Sequence, residues 1–260
     1  MVTINIDYKP FPYINYTRKK EGSFPSSFAE LSSKQLIAIS KFVNGKLQES
    51  HFLHAMTGFR LSLIKKLERY HLYHLMSLFE PFTELKPYDH FIIPEIITST
   101  GKIVSPKPKL ANITFAQFIF IESYFESYQN ENKPIDLYKF IASLYLPQNT
   151  SFNDEKIIPV ANKLHRVKPE ILDSIFLNYL HIKEWLALAY PLILQSNSDK
   201  IHSDQQQKNK MKTAQSNNWL KIFENIVGDD LVNYDRYSLL PLHNVLRWMT
   251  NKYKENMKRK

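Results

Sequence analysis

The chain has no cysteine, so disulfides and thiolate metal sites are excluded outright. That fits a reducing compartment. Glycine occurs only 5 times in 260 residues. Such scarcity leaves no Gly-rich loop to cradle phosphates, and it argues against a β-protein dense in tight turns. No apolar run reaches the ~18 residues that a membrane-spanning helix needs. The opening "MVTINIDYKPFPYINY" lacks the positive start and apolar stretch of a secretory signal. G-x-S-x-G, the P-loop, G-x-G-x-x-G and H-E-x-x-H are all missing. The expectation is a protein that is not an enzyme, needs no cofactor or resident metal, and does not enter a membrane.

Aromatic residues and positive charge are what the chain does have. It carries 15 Tyr and 17 Phe, with a net charge of +9. Aromatics in this number fill cores or interfaces. A basic balance is compatible with nucleic acid, an acidic partner or plain solubility. The positive charge is mostly dispersed. The clearest local excess is the tail "KYKENMKRK", where Lys252, Lys254, Lys258, Arg259 and Lys260 oppose only Glu255. A smaller one is "GKIVSPKPK", with Lys102, Lys107 and Lys109 and no acid.

Periodicity predicts a mainly α chain: a multi-helix single globular domain with one or two small β-hairpins and a polar insertion. Residues 1–20 form an N-terminal strand or arm, in which Val2, Ile4, Ile6 and Tyr8 alternate with polar residues and "FPYINY" is a candidate partner. Residues 21–194 form the main helical domain. There Ser32 with Gln35 reads as a capping box and Asn44-Gly45 as a stop. A long helical stretch from Ser50 to Phe79 follows, open to a break at Gly58, with Tyr70 counted on its apolar face. A hairpin falls near 90–105, turning at Ser99-Thr100-Gly101. Thr114 with Gln117 repeats the capping signal, and Pro169 sits at a favoured first helical position. Residues 195–217 are a polar loop or insertion, and 218–260 a C-terminal helical segment ending in the basic tail.

Few residues pattern as chemistry. His51 with His54, and His71 with His74, stand one helical turn apart, as metal ligands can. No third ligand has a recognisable spacing, and imidazoles at the edge of a helix face are the plainer reading. Asp229-Asp230 after Gly228 fits a helix-ending turn. The segment "NITFAQFIFIESYFESY" is different in kind. It is apolar nearly all round, which marks a helix buried on several sides. It is therefore either the central helix of the fold or a helix shared with another subunit. On the second reading Phe115, Phe118, Phe120, Tyr124 and Phe125, with Trp248 of the last helix, would be partner contacts. The cationic residues Lys102, Lys107, Lys109, Lys252, Lys254, Lys258, Arg259 and Lys260 are the candidates for contact with nucleic acid or an acidic partner.

Several segments together carry a resemblance. They are "FPSSFAELSSKQLIAISKFVNG", "IPEI", "LANITFAQFIFIESYFESY", "LYKFIASLYLP", "FLNYLHIKEWLALAYPLIL" and "WLKIFENIVG" with "LPLHNVLRWMTNKYKE". In this order they resemble an uncharacterised group of proteins encoded in the tail-gene region of phages and prophages of Bacteroidetes. The resemblance covers most of the chain from about residue 24. It departs at Ala116-Gln117, where Gly-Glu is typical, and at Leu146, where Arg is typical. What it implies is a tail-assembly chaperone or minor virion subunit, holding a tail or other virion protein in the host cytoplasm during assembly or within the virion. The alternative is a nucleic-acid-binding protein acting through the basic C-terminal helix and the Lys102–Lys109 loop.

Overall fold

A computed structural model describes residues 1–9, 16–99, 101–194, 216–228 and 230–258. The expected "FPYINY" partner strand, most of the polar insertion, Thr100, Asp229, Arg259 and Lys260 fall partly or wholly outside these residues. The chain is mainly α, with two small antiparallel sheets. It divides into two compact units, Met1–Tyr88 and Asp89–Lys260.

The first unit opens with β1 (Val2–Tyr8), which buries Ile4 and Ile6 as its alternation dictates. Its partner is β2 (Arg18–Phe24), paired antiparallel from Val2 opposite Phe24 to Tyr8 opposite Arg18. The expectation for "FPYINY" lies largely outside the described residues. Strand β2 is charged and mostly exposed, so it lacks the apolar alternation that would announce it. Gly22 stands where a Cβ would meet the Phe59 ring at 2.5 Å, and the close approach explains its glycine.

Helix α1 (Ser33–Val43) starts at the expected capping box. The Ser32 hydroxyl accepts from the Gln35 amide, and the Gln35 side chain accepts in return from Ser32 N–H at 2.9 Å. The long stretch that follows is three helices rather than one: α2 (Glu49–Thr57), α3 (Leu61–Ile64) and α4 (Arg69–Ser77). Gly58 terminates α2 in the left-handed conformation, φ 71°. Phe42, Phe52, Phe79 and Phe82 form a ring cluster, with Phe42 stacked on Phe52 at 4.3 Å.

The second unit begins with the expected hairpin, β3 (Glu95–Thr98) and β4 (Gly101–Val104), joined by a third short strand, β5 (Leu146–Pro147). Its helices are α5 (Phe115–Glu131), α6 (Pro134–Leu144), α7 (Ile157–Leu164), α8 (Pro169–Ala189), α9 (Ser216–Val227), α10 (Tyr234–Ser238) and α11 (Leu242–Lys258). Helix α5 is the centre of this unit. From Phe115 to Tyr128 no residue is exposed. Phe115 and Phe118 meet Trp219 of α9, and Phe125 meets Phe140, Phe176 and Tyr179 of α6 and α8. Thr114 caps the helix by accepting from the Gln117 amide. The Gln117 side chain does not close a capping box, however. It is buried and donates to the Ser143 carbonyl at 2.8 Å, tying α5 to α6.

Candidate functional site

The C-terminal helix is attached at its beginning and free along its second half. Two backbone hydrogen bonds fix the start. Phe115 N–H donates to Leu240 O at 2.8 Å and Leu242 N–H donates to Ile113 O at 3.0 Å, which together make the antiparallel bridge between Thr114 and Pro241. Leu242, Val245 and Leu246 are then buried. A side-chain latch adds to this. The Lys109 carbonyl can only accept, so His243 Nε2 carries the proton that bonds it at 2.5 Å. His243 Nδ1 is then the acceptor for the Tyr190 hydroxyl at 2.7 Å. The imidazole also stacks on Tyr190 and meets Trp185 edge-on. Burial pushes the Tyr190 hydroxyl above its ordinary range, opposed by Arg247 beside it. Both nitrogens of His243 are thus used within the chain, which makes it a fastening rather than a base or a metal ligand. The loop it fastens holds Lys109 and Leu110 at φ 62° and 55°, a left-handed pair that costs roughly 1–2 kcal/mol per residue.

Residues 251–258 are exposed without exception. At 1.5 Å per residue they extend the helix by about 12 Å. The apolar seam nevertheless continues along this part. Leu242, Leu246, Met249, Tyr253 and Met257 follow one another at intervals of three and four, one stripe of an α-helix. Its first members are buried, while Tyr253 is 45% and Met257 62% exposed. Trp248, 47% exposed, flanks the stripe. Arg247, Lys254 and Lys258, seven and four residues apart, line the other flank and are exposed. Lys252 pairs with Glu255 at 3.2 Å.

The other residues expected to make contacts are distributed differently. Phe115, Phe118 and Phe125 are core residues and have no surface to offer a partner, a correction to that expectation. The uniform apolarity of α5 reflects packing on several sides within its own unit. Phe120 and Tyr124 are half-buried, with Phe120 against Phe152. Trp248 alone among these aromatics is exposed. Lys102 is paired with Glu95 across the hairpin at 2.6 Å. Lys107 and Lys109 are exposed in the loop, but they adjoin the start of α11. Lys254 and Lys258 lie about 16–22 Å further along that helix. The two basic segments therefore do not form one patch.

Titratable groups in the interior hold structure. Glu122 is 3% exposed, and its two oxygens accept from the Tyr179 hydroxyl at 2.7 Å and from Lys183 Nζ at 2.5 Å. Lys183 also sits 4.5 Å from the centre of the Phe125 ring. Tyr179 is raised well above its ordinary range by burial and by the Glu122 charge. Asn178 joins α8 to the segment before β3, accepting from Ile92 N–H at 2.8 Å and donating to the His90 carbonyl. Each of these groups is committed to another. His54 Nδ1 bonds the Phe59 carbonyl at 2.5 Å, closing the turn after α2. Among the described residues no group of three or more His, Asp or Glu is placed to hold a metal ion. Asp230 accepts from Asn233 Nδ2 and from the Tyr237 hydroxyl, as a turn residue does. Among the described residues no helix is long and apolar enough to cross a membrane.

Sequence reasoning found Trp248 and the tail lysines by composition. It missed the seam through Tyr253 and Met257, although the spacing was there to be read. It also missed the exposed aromatic face of α4. Comparison with known proteins adds no relative: no protein-family model, no curated protein and no solved structure matches the chain.

Proposed function

We propose that the protein acts by holding a partner, as a non-enzymatic assembly or structural protein of the phage tail region, and that the free half of α11 is the holding surface. One observation carries this reading: the buried seam of α11 continues through Tyr253 and Met257, which are 45% and 62% exposed. Exposed apolar stripes of this periodicity suit the apolar face of another helix. The fastening of His243 gives the helix a rigid base, which lowers the ordering cost of binding. The partner class, a tail or other virion protein, rests on the motif resemblance. On this reading the protein works in the host cytoplasm as a tail-assembly chaperone, or stays in the particle as a minor subunit.

A tagged pull-down from producing cells, eluted first at low and then at high salt, tests it. The expected result is a tail-region protein retained through high salt by the full chain and lost from a Tyr253→Ser, Met257→Ser variant. Retention by that variant would overturn the assignment of the surface. A second reading is favoured by the row Arg247, Lys254 and Lys258: nucleic acid bound through phosphates on that flank of α11. It expects nucleic acid in the eluate, released by salt, with no protein partner.

A further inference from the structure

Helix α4 buries one apolar side and leaves two aromatic residues in water on the other. Its inner side is Leu75, fully buried, with His71, Leu72 and Met76 half-buried. The outer side carries Arg69, Tyr70, Tyr73, His74 and Ser77, all exposed. Spacings of one, three and four put these five on one continuous face. Tyr70 and Tyr73 are each 76% exposed, among the most exposed large side chains described. Neither ring makes the kind of burial that repays an aromatic, and the helix would bury the same Leu75 with serines in their places.

Charge gathers at the same point. From residue 60 to residue 79 the chain carries Arg60, Lys65, Lys66 and Arg69 against Glu68 alone, and all five are exposed. A cleft of about 280 Å³ opens beside α4, lined by Gln48, Glu49, Ser50, Ile64, Lys65 and Leu72. That is smaller than the ~300 Å³ at which small-molecule pockets begin. Its apolar members are Ile64 and Leu72, with Glu49 as its anion and Lys65 as its cation.

From this juxtaposition we infer a binding site for single-stranded nucleic acid on α4, with Tyr70 and Tyr73 as stacking platforms and with Arg69 beside Tyr70 and Lys65 of the adjoining cleft as phosphate contacts. Two neighbouring exposed rings with cations beside them are the arrangement that unpaired bases on a phosphate chain fit. Stacking requires splayed bases, so a duplex does not satisfy the rings. An acidic peptide satisfies the cations and leaves the rings idle. The site lies in the first unit and is independent of the surface assigned to α11.

The test is fluorescence anisotropy of a labelled oligothymidylate titrated with the full chain. Variants are Tyr70→Ala with Tyr73→Ala, Lys65→Ala with Arg69→Ala, and Lys254→Ala with Lys258→Ala as the α11 control. All six side chains are exposed, so folding is preserved and a thermal melt checks it. The expected loss for the tyrosine pair is at least about 25-fold in affinity. Two phosphate contacts imply a weakening of roughly 7-fold between ~50 and ~200 mM salt. The α11 variant, which tests the competing surface, loses less affinity than the tyrosine pair. The inference is overturned if the wild type does not bind at low salt, or if the tyrosine pair binds unchanged. Equal binding of a duplex, or equal competition by polyglutamate, overturns it in favour of charge alone. Loss only in the α11 control moves the activity to the other helix.

Discussion

Helices α5 and α11 are both 17 residues long, both sit in the second unit, and both take their place from the same strip of chain, where Thr114 meets Pro241. They end up in opposite conditions. Helix α5 is enclosed from Phe115 to Tyr128, whereas α11 is enclosed for little more than its first turn. The difference lies in how much of the circumference is apolar. Residues of α5 point rings in nearly every direction, so only surroundings on several sides satisfy them. Helix α11 has a single seam with cations on its flank, so one contact at its base suffices and the rest stays in water. At identical length, six Phe and Tyr residues spread around α5 give a core, and two aromatic residues on α11 give a candidate surface.

The largest way to sharpen that contrast is to cut a ring from each helix. Phe125→Ala removes a side chain touching Phe140, Phe176 and Tyr179, and should cost about 3–5 kcal/mol of stability in denaturant unfolding. Trp248→Ala at 47% exposure should cost less than about 0.5 kcal/mol. A comparable loss at both positions would mean that α11 is packed as α5 is.

Breaking the Glu122 cluster comes next. Lys183→Met leaves a buried carboxylate with the Tyr179 hydroxyl as its remaining partner. The loss should be about 2–3 kcal/mol, below the full cost of an orphaned buried charge because Lys183 is partly in water. Replacing Glu122 with Gln in the same protein should recover part of it, since no charge is then stranded. Equal stability of the single and double variants would refute the pairing.

The pH dependence belongs to the enclosed region too. Burial holds the hydroxyls of Tyr145 and Tyr179 well above the ordinary 10.0. In the unfolded chain both ionise near that value, while the folded chain keeps both protons. Their contribution is therefore complete below pH 10 and is lost as pH rises above it. The tyrosinate absorbance of Tyr145 and Tyr179 should appear only as the protein unfolds. Ionisation of both in the still-folded protein would contradict the enclosure.

A smaller effect than those of the enclosed region is expected at a cap. Ser32→Ala removes one half of the α1 capping box and should lower stability by about 1 kcal/mol. Thr114→Ala should act similarly on α5, and a loss beyond ~2 kcal/mol there would show that the bridge to Pro241 depends on the side chain as well.

What could be read in the chain follows from locality. Capping at Ser32 and Thr114, termination at Gly58, the pairing of the hairpin strands and Pro169 at a helix start all depend on residues within a few positions of one another, and each occurs as the pattern requires. Strand β2 was hidden because its charged residues face water on an exposed pair. Gln117 was misjudged because its side chain found a distant carbonyl at Ser143 in preference to its own cap. The outward turn of Tyr70 was misjudged because aromatic residues at helical spacing normally face inward. For the candidate surface, the lysines were legible as composition. Whether they were gathered or scattered was not.

Taken alone, the sequence determined the element types, the absence of thiolate chemistry and the fact that α5 must be enclosed, because helix periodicity and side-chain chemistry are local properties. Only the tertiary structure decided which apolar stripes were covered. The seam of α11 reads the same on paper at Leu246 and at Tyr253, and packing closes over the first and leaves the second in water. Burial is a relation between distant segments, and no single stretch of the chain contains it.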